Sequence, residues 1–402
     1  MSMGAGRPTT AAPAAWAKSR LSICVLAGLV AAGCATAPDP VDPAAPATSA
    51  PGSVKSLTWL GTATLSRTAT GLLQHFGGIS GMDRDPATDI WYLLSDDRSQ
   101  NAPARFYTTR IAIDASGFAG ITVQDVVALK QADGSTYPDP KQGGGVPDPE
   151  ALRIDPRNGE LVWSSEGDRR LGLNPWVRRA SRGGALLGEW NLPKNLAIHK
   201  DQELGSRNNL SLEGLAFAPD GASLWLAMEA PLYEDGPVPT PEHGAVARFT
   251  RVARNGEVLA QYAYPVDAVP VAGTGGHRRS DNGVSEILAI GDGSLLVIER
   301  SGHEVGELLF EFSVRVFEAK IGRATHVAGI ASLSGATYTP MSKRLILDLN
   351  QAGLGRIDNI EAAAWGPRLP DGRATLVLAS DDNFAPNQVN QFIVFAVEER
   401  QP

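Results

Sequence analysis

The stretch DNIEAAAWGPRLPDGRATLVLASDDN, residues 358–383, has two apolar runs separated by a turn, with acidic residues at both ends. Small, β-branched and aromatic residues on either side of an Asp-Gly turn are typical of two paired strands. The glycine of the LPDG turn supplies the positive φ that such a reversal needs. We therefore predict a β-hairpin whose two acidic ends lie next to each other.

Weaker copies of this hairpin occur four times earlier in the chain. Their sequences are GGISGMDRDPATDIWYLLSDDR (77–98), DPEALRIDPRNGELVWSSEGD (148–168), LEGLAFAPDGASLWLAMEAP (212–231) and GVSEILAIGDGSLLVIERSG (283–302). Each copy is followed by two further strand-like runs; for the fourth copy these are 308–320 and 325–333. The chain therefore repeats a unit of four strands.

The last hairpin is followed by only one strand-like run, 391–397, and a lone strand pattern, 57–66, precedes the first hairpin. Pairing these two runs completes the last unit and closes a ring, which is how β-propellers remove their edge strands. The sequence thus predicts an all-β protein, a β-propeller with five blades of four strands closed by its N- and C-terminal strands. The alternative is a sixth, eroded blade, to which the run 345–349 would belong.

Alignment of the five turns places acidic residues in two columns at one end of the hairpins. The first column is Ser80, Glu150, Glu213, Glu286 and Glu361, and the second is Asp96, Glu166, Glu229, Glu299 and Asp381. Nine of these ten positions are carboxylates. The long inserts are expected at the same end, namely 131–149, 193–211, 230–244, 267–283 and 334–358. Because long loops on a rigid scaffold commonly carry function, we expect a binding site there.

Carboxylates that converge on a propeller channel repel one another and need neutralising. Two unit charges about 4 Å apart repel by roughly 1 kcal/mol in water and about 4 kcal/mol at an effective dielectric of 20. Calcium fits this donor set best, because it takes six to eight oxygen ligands in loose geometry, although another divalent cation would also serve. Alternatively, the acids cap strand ends and pair with arginines such as Arg98, Arg300 and Arg356.

Other metals and common catalytic motifs find less support. The six histidines show no ligand spacing, so zinc is disfavoured. No G-x-S-x-G sequence is present, so the sequence does not support the usual active site of a serine hydrolase. Ser80 is a candidate nucleophile or metal ligand, and the alternative is that it simply replaces a glutamate of the first column. The glycine-rich loop 273–283 carries Arg278 and Arg279, which either contact an anionic substrate or belong to a solvated surface loop.

The N-terminus has the pattern of a targeting segment. A basic stretch precedes the apolar run 21–33, which is too short to span a bilayer. Cys34 follows in a lipobox-like context, with an ordinary secretory signal as the alternative. We predict a lipoprotein signal peptide at 1–33, an Ala/Pro-rich tether at 34–53 and one domain at 54–402. The protein is then exported and lipid-anchored to a bacterial membrane, facing the periplasm or the exterior, with no other membrane contact.

Charge and cysteine content limit the partners further. The formal net charge of −8 and the lack of a basic stripe argue against nucleic-acid binding. The only two cysteines are Cys24 and Cys34, so residues 54–402 have no disulfide and no thiol. Nothing in the sequence indicates an oligomeric state.

Three runs resemble a known family, the phytase-like domain called "esterase-like activity of phytase". They are NNLSLEGLAFAPDG (208–221), GVSEILAIGDGSLLVIERS (283–301) and RIDNIEAAAWGPRLPDGRATLVLASDDNF (356–384). The resemblance extends over about residues 57–397 and implies an exported bacterial β-propeller with a phosphoesterase site. Ala362 stands where the family more often has glycine. The positions that match the proposed site are Glu150, Glu213, Glu286, Glu299, Asp358, Asn359, Glu361, Asp381 and Asp382.

The leading hypothesis is a calcium-dependent phosphoesterase that hydrolyses a small-molecule phosphate ester. We expect Glu213, Glu286 and Glu361 to be catalytic. The expected metal ligands are Glu150, Glu299, Asp358, Asn359, Asp381 and Asp382, and the expected phosphate contacts are Arg278, Arg279 and Arg300. Two alternatives remain open: a metal-dependent lactonase or esterase, and a non-catalytic propeller that binds a ligand or a protein.

Overall fold

The structure, a computed structural model, describes residues 50–114, 117–273, 279–291, 293–307 and 309–400. The predicted signal peptide, Cys34 and most of the predicted tether lie outside these residues. In the described chain, twenty strands form five antiparallel sheets of four strands each. The innermost strands contact one another in sequence around a ring, and the last of them contacts the first. The protein is a five-bladed β-propeller, as predicted.

The blades follow the order of the chain from the channel outwards. Blade 1 contains β2 (Ile79–Asp85), β3 (Ile90–Ser95), β4 (Arg105–Asp114) and β5 (Gly117–Ala128). Blade 2 contains β6 (Pro149–Ile154), β7 (Leu161–Ser165), β8 (Trp176–Ala180) and β9 (Leu186–Trp190). Blade 3 contains β10 (Leu212–Phe217), β11 (Ser223–Met228), β12 (Ala245–Ala253) and β13 (Val258–Val266).

Blade 4 contains β14 (Gly283–Ile290), β15 (Ser294–Gly306), β16 (Leu309–Lys320) and β17 (Ser342–Asp348). Blade 5 contains β18 (Asn359–Trp365), β19 (Thr375–Asp381), β20 (Asn390–Glu398) and β1 (Ser56–Leu65). Helix in the described residues is limited to three 3-10 turns, Lys194–Leu196, Tyr233–Asp235 and Leu349–Gln351. No helix among the described residues is long and apolar enough to cross a membrane.

The N-terminal strand closes the ring as the sequence predicts. Strand β1 pairs antiparallel with β20, with Leu57 opposite Val397 and Thr64 opposite Gln391. Apolar side chains from facing blades form the cores; Trp91, for example, is fully buried between blades 1 and 5. The closing strand thus gives blade 5 its fourth strand and closes the ring.

Blade 4 differs from the prediction in its outermost strand. The run 345–349 is not a sixth blade, since most of it lies in β17, which pairs with β16. The run 325–333, expected as the outer strand, lies in a loop beside β13, where Val327 N–H donates to the Gln261 carbonyl at 2.7 Å. This long loop, 321–341, joins the third and fourth strands, so not every long insert lies at the acidic end. It covers the edge of blade 3, which protects that edge from pairing with another chain.

Candidate functional site

Each innermost strand has a β-bulge near the channel mouth that changes the direction of one side chain. The pairing register shifts at the same point of all five inner hairpins, and a bulge re-aims side chains in this way. The residues that have no partner on the second strand at these bulges include Ser80, Glu150, Glu213, Ser285 and Glu361. Blade 4 therefore contributes Ser285 at this position, and the expected alignment of Glu286 with the other glutamates is wrong by one residue.

Blade 4 is also offset by one residue on its second strand. In each inner hairpin, the last residue before the bulge pairs with a residue of the second strand. The residue that directly follows this partner is Asp96 in blade 1, Glu166 in blade 2, Glu229 in blade 3 and Asp381 in blade 5. In blade 4, Gly283 pairs with Arg300, whereas Glu299 pairs with Val284 one step further in. Arg300 therefore occupies the column in which the other four blades place an acid, and Glu299 does not. Seven of the ten column positions are carboxylates, fewer than the nine expected.

These side chains surround a cavity of about 270 Å³ at one end of the channel, which we call the carboxylate cavity. It is lined by nine carboxylates, two arginines, a few amide side chains and Phe384. The lining carboxylates are Asp96, Asp97, Asp148, Glu150, Glu166, Glu213, Glu229, Glu361 and Asp381. The two arginines are Arg98 and Arg300. The cavity is therefore strongly acidic, as the sequence predicts for this end of the hairpins.

Arg300 balances part of this charge from inside the cavity. Its Nη2 lies 3.1 Å from Glu361 Oε1 and 3.6 Å from Glu229 Oε1, and its side chain is 14% exposed. Glu361 also accepts a hydrogen bond from Asn359 Nδ2 at 2.9 Å. Burial lowers the pKa of Arg300, but the surrounding acids, Glu361 first, raise it overall. Arg300 is thus a permanently charged group facing the acids.

The acids themselves are held in an environment that favours their protonated forms. Burial, followed by repulsion from Glu213 and other carboxylates, raises the pKa of Glu150 well above its usual range. Burial also raises the pKa of Asp148 to about 7, with Arg98 opposing the shift, and that of Glu229 to about 8, with Arg300 opposing it. The pKa values of Asp96, Glu166, Glu213 and Asp381 are likewise raised well above normal, primarily by burial.

Asp148, Glu150 and Glu166 of blade 2 form the tightest group of potential metal ligands in the described chain. One oxygen from each lies within 4.8 Å of the others, and all three side chains are buried. Arg98 approaches Asp148 at 3.4 Å but binds Asp168 more closely, at 2.6 Å. An all-oxygen set of this kind fits a hard divalent cation such as calcium, whose charge would offset the repulsion. Asp148 and Glu166 were not among the predicted metal ligands, although both belong to the quoted hairpin.

Glu286 lies below the carboxylate cavity and does not line it. It is fully buried, and its Oε2 lies 2.6 Å from Arg153 Nη2. The Arg153 guanidinium also donates to the carbonyls of Leu215, Met82, Leu152 and Ile287, which belong to four different inner strands. A side chain that contacts four inner strands lies across the channel they surround. Glu286 is therefore the counter-ion of a structural arginine rather than part of the acidic lining.

Glu299 belongs to a separate charged cluster between blades 3 and 4. It accepts hydrogen bonds from Tyr264 Oη at 2.8 Å and Asn282 Nδ2 at 3.0 Å, and it pairs with Lys343. Arg315 and Lys343 also bind Asp267, at 2.9 and 2.6 Å. With so many partners already present, Glu299 has the environment of a structural acid.

The remaining predicted metal ligands lie outside the lining of the carboxylate cavity and form hydrogen bonds around it. Asp358 accepts from Val389 N–H at 3.0 Å, and Asp382 accepts from Gly78 N–H at 3.0 Å, which ties blade 5 to blade 1. Asn359 Nδ2 donates to both Glu361 and Asp381, the latter at 3.2 Å. None of these three residues lines the carboxylate cavity. Their contacts position the acids that do.

Two further predictions have different outcomes. Arg278 lies outside the described residues. Arg279 is not in the carboxylate cavity; it pairs with Glu304 at 2.8 Å and its side chain is 62% exposed. Ser80 Oγ donates to the Pro149 carbonyl at 3.0 Å, and the equivalent Ser285 Oγ donates to the Ile360 carbonyl at 3.1 Å. Both serines replace a glutamate of the column and cross-link neighbouring inner strands.

Comparisons with known proteins identify the sequence family. The model of the phytase-like family, described as "Esterase-like activity of phytase", matches residues 74–384. No curated protein matches the chain. A "putative oxidoreductase (glucose dehydrogenase)" from Thermus thermophilus is similar at 16% identity and a TM-score of 0.33, over 83% of this chain and 86% of its own. A DUF4221 family member from Bacteroides vulgatus gives 10% identity and a TM-score of 0.37, over 86% and 99%.

Proposed function

We propose that this chain, which belongs to the phytase-like family, is a divalent-cation-dependent hydrolase of phosphate esters that acts in the carboxylate cavity. The observation that carries the proposal is the nine-carboxylate lining with Arg300 among the acids. Such a cavity repels a phosphate unless a cation is present, whereas a cation and an arginine on opposite sides attract one. The location at the acidic, loop-bearing end of a rigid scaffold also favours a site.

The metal would be held by Asp148, Glu150 and Glu166, with calcium as the best-fitting ion for an all-oxygen set. When bound, a divalent cation polarises a phosphoryl oxygen and makes a coordinated water more acidic. Arg300 lies on the blade 4 side of the same cavity and offers a planar donor group for a second phosphoryl oxygen. The phosphate would therefore sit between blades 2 and 4.

Glu361 and Glu213 are placed to handle the two protons of hydrolysis. The oxygen of water forms a bond to phosphorus while the bond between phosphorus and the ester oxygen breaks. Glu361, which is kept near Arg300, accepts a proton from the water. Burial raises the pKa of Glu213 well above normal, which favours its protonated form, and this form supplies a proton to the departing alcohol. Water and ester thus become alcohol and phosphate without other reactants.

The experiment that tests the proposal measures phosphate release from phenyl phosphate and glycerol 2-phosphate by the purified chain. The chain is first treated with a chelator and then supplied with calcium, magnesium or manganese. We expect turnover only with a divalent cation, and a loss of at least about 100-fold in E150Q/E166Q, R300M and E361Q, which is the size expected for removing a preorganised charge contact. The matched control is E189Q, in the same blade but half-exposed and paired with Arg178.

Two outcomes would replace this proposal by one of its alternatives. Cation-dependent turnover of an uncharged lactone or acetate ester that is unchanged in R300M would indicate a lactonase or esterase. Cation binding by calorimetry without turnover of any ester would indicate a non-catalytic binding propeller. Phosphate release that persists at the same rate in the chelated protein would contradict the role of the metal.

A further inference from the structure

The carboxylate cavity has a single apolar lining side chain among the described residues, that of Phe384. All other lining groups are charged or are amides. The Phe384 ring lies at the rim, with the guanidinium groups of Arg67 and Arg105 at 5.4 and 5.9 Å from its centroid. These cation–π contacts hold the ring in place. A lone aromatic group in an otherwise polar cavity indicates that one part of the ligand is apolar.

The backbone at Phe384 is held in an unfavourable conformation. Asn383 and Phe384 have φ values of 46° and 51°, in the left-handed region that bulky residues avoid. Their N–H groups donate to Asp381 Oδ1 at 2.6 Å and Asp382 Oδ1 at 3.2 Å, which stabilises the turn. Of the other three non-glycine residues with positive φ in the described chain, Asn209 also lines the cavity. Strained residues of this kind cluster at functional sites.

Gly78 makes room for the ring. A β-carbon at Gly78 would lie 2.8 Å from Phe384 Cε2 and 2.0 Å from Asp96 Oδ1, so no larger residue fits there. The chain thus combines a strained turn and a required glycine in placing one aromatic ring at the cavity rim. A ring needed only for packing would not require this position beside the acids.

The size and charge of the cavity limit the rest of the ligand. Its volume of about 270 Å³ lies below the range of about 300–1,000 Å³ that is typical of drug-sized pockets. One cation offsets two of the negative charges, Arg98 and Arg300 offset two more, and Arg105 pairs with Asp97, so about four of the nine acids still face any additional phosphate. A molecule with several phosphates would place the extra ones against carboxylates. A single phosphate group fits both limits.

We propose, on the basis of the function proposed above, that Phe384 determines specificity and selects monophosphate esters of a phenol or another ring-bearing alcohol. The phosphate lies between the blade 2 acids and Arg300, and the ring of the alcohol contacts Phe384. Polyphosphorylated alcohols such as inositol hexakisphosphate are disfavoured substrates, because their remaining phosphates meet the acidic lining.

The test measures binding and hydrolysis separately with the full calcium-loaded chain. Binding of phenylphosphonate and methylphosphonate, which cannot be hydrolysed, is measured by calorimetry. We expect phenylphosphonate to bind roughly three- to ten-fold more tightly, the range expected for one aromatic contact. This preference should disappear in F384L, which keeps apolar volume, and in F384N, whose side chain tolerates the left-handed backbone. Thermal unfolding verifies that both variants fold.

Hydrolysis distinguishes this inference from the function on which it rests. We expect kcat/KM to decrease in the order phenyl phosphate, glycerol 2-phosphate, inositol hexakisphosphate. If esters are hydrolysed but the hexakisphosphate is preferred, or if the two phosphonates bind the wild-type chain equally, the role of Phe384 is overturned while the phosphoesterase stands. If no ester is hydrolysed and no phosphonate binds, the proposed function itself fails. Should both variants fail to fold, the wild-type comparison of the phosphonates still decides.

Discussion

The channel of this propeller contains two acidic regions that differ in how their charge is balanced, although burial raises the pKa of acids in both. Nine acids and two arginines line the carboxylate cavity, Arg105 pairs with Asp97, and burial raises the pKa of several of the acids. Below it, Glu286 is fully buried with Arg153 at 2.6 Å, and Arg153 is further bound by four carbonyls. The first region has an excess of charge that a ligand can neutralise. The second region is already neutralised and holds the inner strands together.

The acids of the two regions lie one position apart in the inner strands, on the bulge or directly after it. In blades 2, 3 and 5 the bulge carries a glutamate into the cavity, while in blade 4 the bulge carries Ser285 and the following Glu286 faces Arg153. A glutamate at the start of an inner strand is therefore not sufficient evidence for a site residue. Whether it lies on the bulge decides its role.

The largest effect is expected for the Arg153–Glu286 pair. R153M leaves Glu286 buried without a counter-ion and four carbonyls without their donor, and breaking a buried pair typically costs about 3–5 kcal/mol. We expect urea denaturation to show a loss of stability of this size. The matched control is R178M, in the same blade, whose side chain pairs with the half-exposed Glu189. Similar midpoints for the two variants would mean that Arg153 does not hold the inner strands together.

The next effect in size is stabilisation by calcium through the carboxylate cavity. A ligand that binds only the folded state stabilises it by about 2.7 kcal/mol at 100 times its Kd. We expect calcium to raise the thermal midpoint of the chelated chain, and E150Q/E166Q to abolish the rise. E286Q should keep the calcium-dependent rise while lowering the starting midpoint. A calcium response that is lost in E286Q but kept in E150Q/E166Q would reverse the assignment of the two regions.

Ring closure, blade number and hairpin order could be predicted from the sequence because they depend on local turn chemistry and strand patterns, whereas the outer strand of blade 4 was assigned to the wrong run. Pairing of β1 with β20 and most of the cavity acids, such as Glu213 and Glu361, were predicted correctly. The positions of Glu286 and Glu299 were not, because a one-residue bulge changes which side chain faces the channel without changing the hydrophobic pattern. Arg153 and Phe384 act through contacts between distant strands, so the pattern of a single hairpin does not reveal them.

A further effect is expected from pH on the metal-free chain. The folded state raises the pKa of Asp148 from 3.8 to about 7 and that of Glu229 from 4.5 to about 8. The folded state then binds more protons than the unfolded state between these values, so stability falls as pH rises. We expect the chelated chain to be more stable at pH 5 than at pH 8 by several kcal/mol, because each pKa unit corresponds to about 1.4 kcal/mol. Chemical denaturation at the two pH values measures this difference, and equal stability would contradict the raised pKa values.

The smallest effect is a gain of stability on removing one acid. In the metal-free chain at pH 8, E213Q replaces a carboxyl whose charged form its neighbours repel with an amide of nearly the same shape. We expect a stabilisation of about 1 kcal/mol, the repulsion of two unit charges about 4 Å apart in water. At pH 5 the gain should be smaller, because a lower pH favours the protonated form of the buried Glu213, which is uncharged like the amide. E286Q provides the opposite case at pH 8, because it removes the charged partner of Arg153 and should destabilise the fold. A loss of stability in E213Q as large as that in E286Q would mean that the cavity acids are structural groups, and the distinction between the two regions would fail.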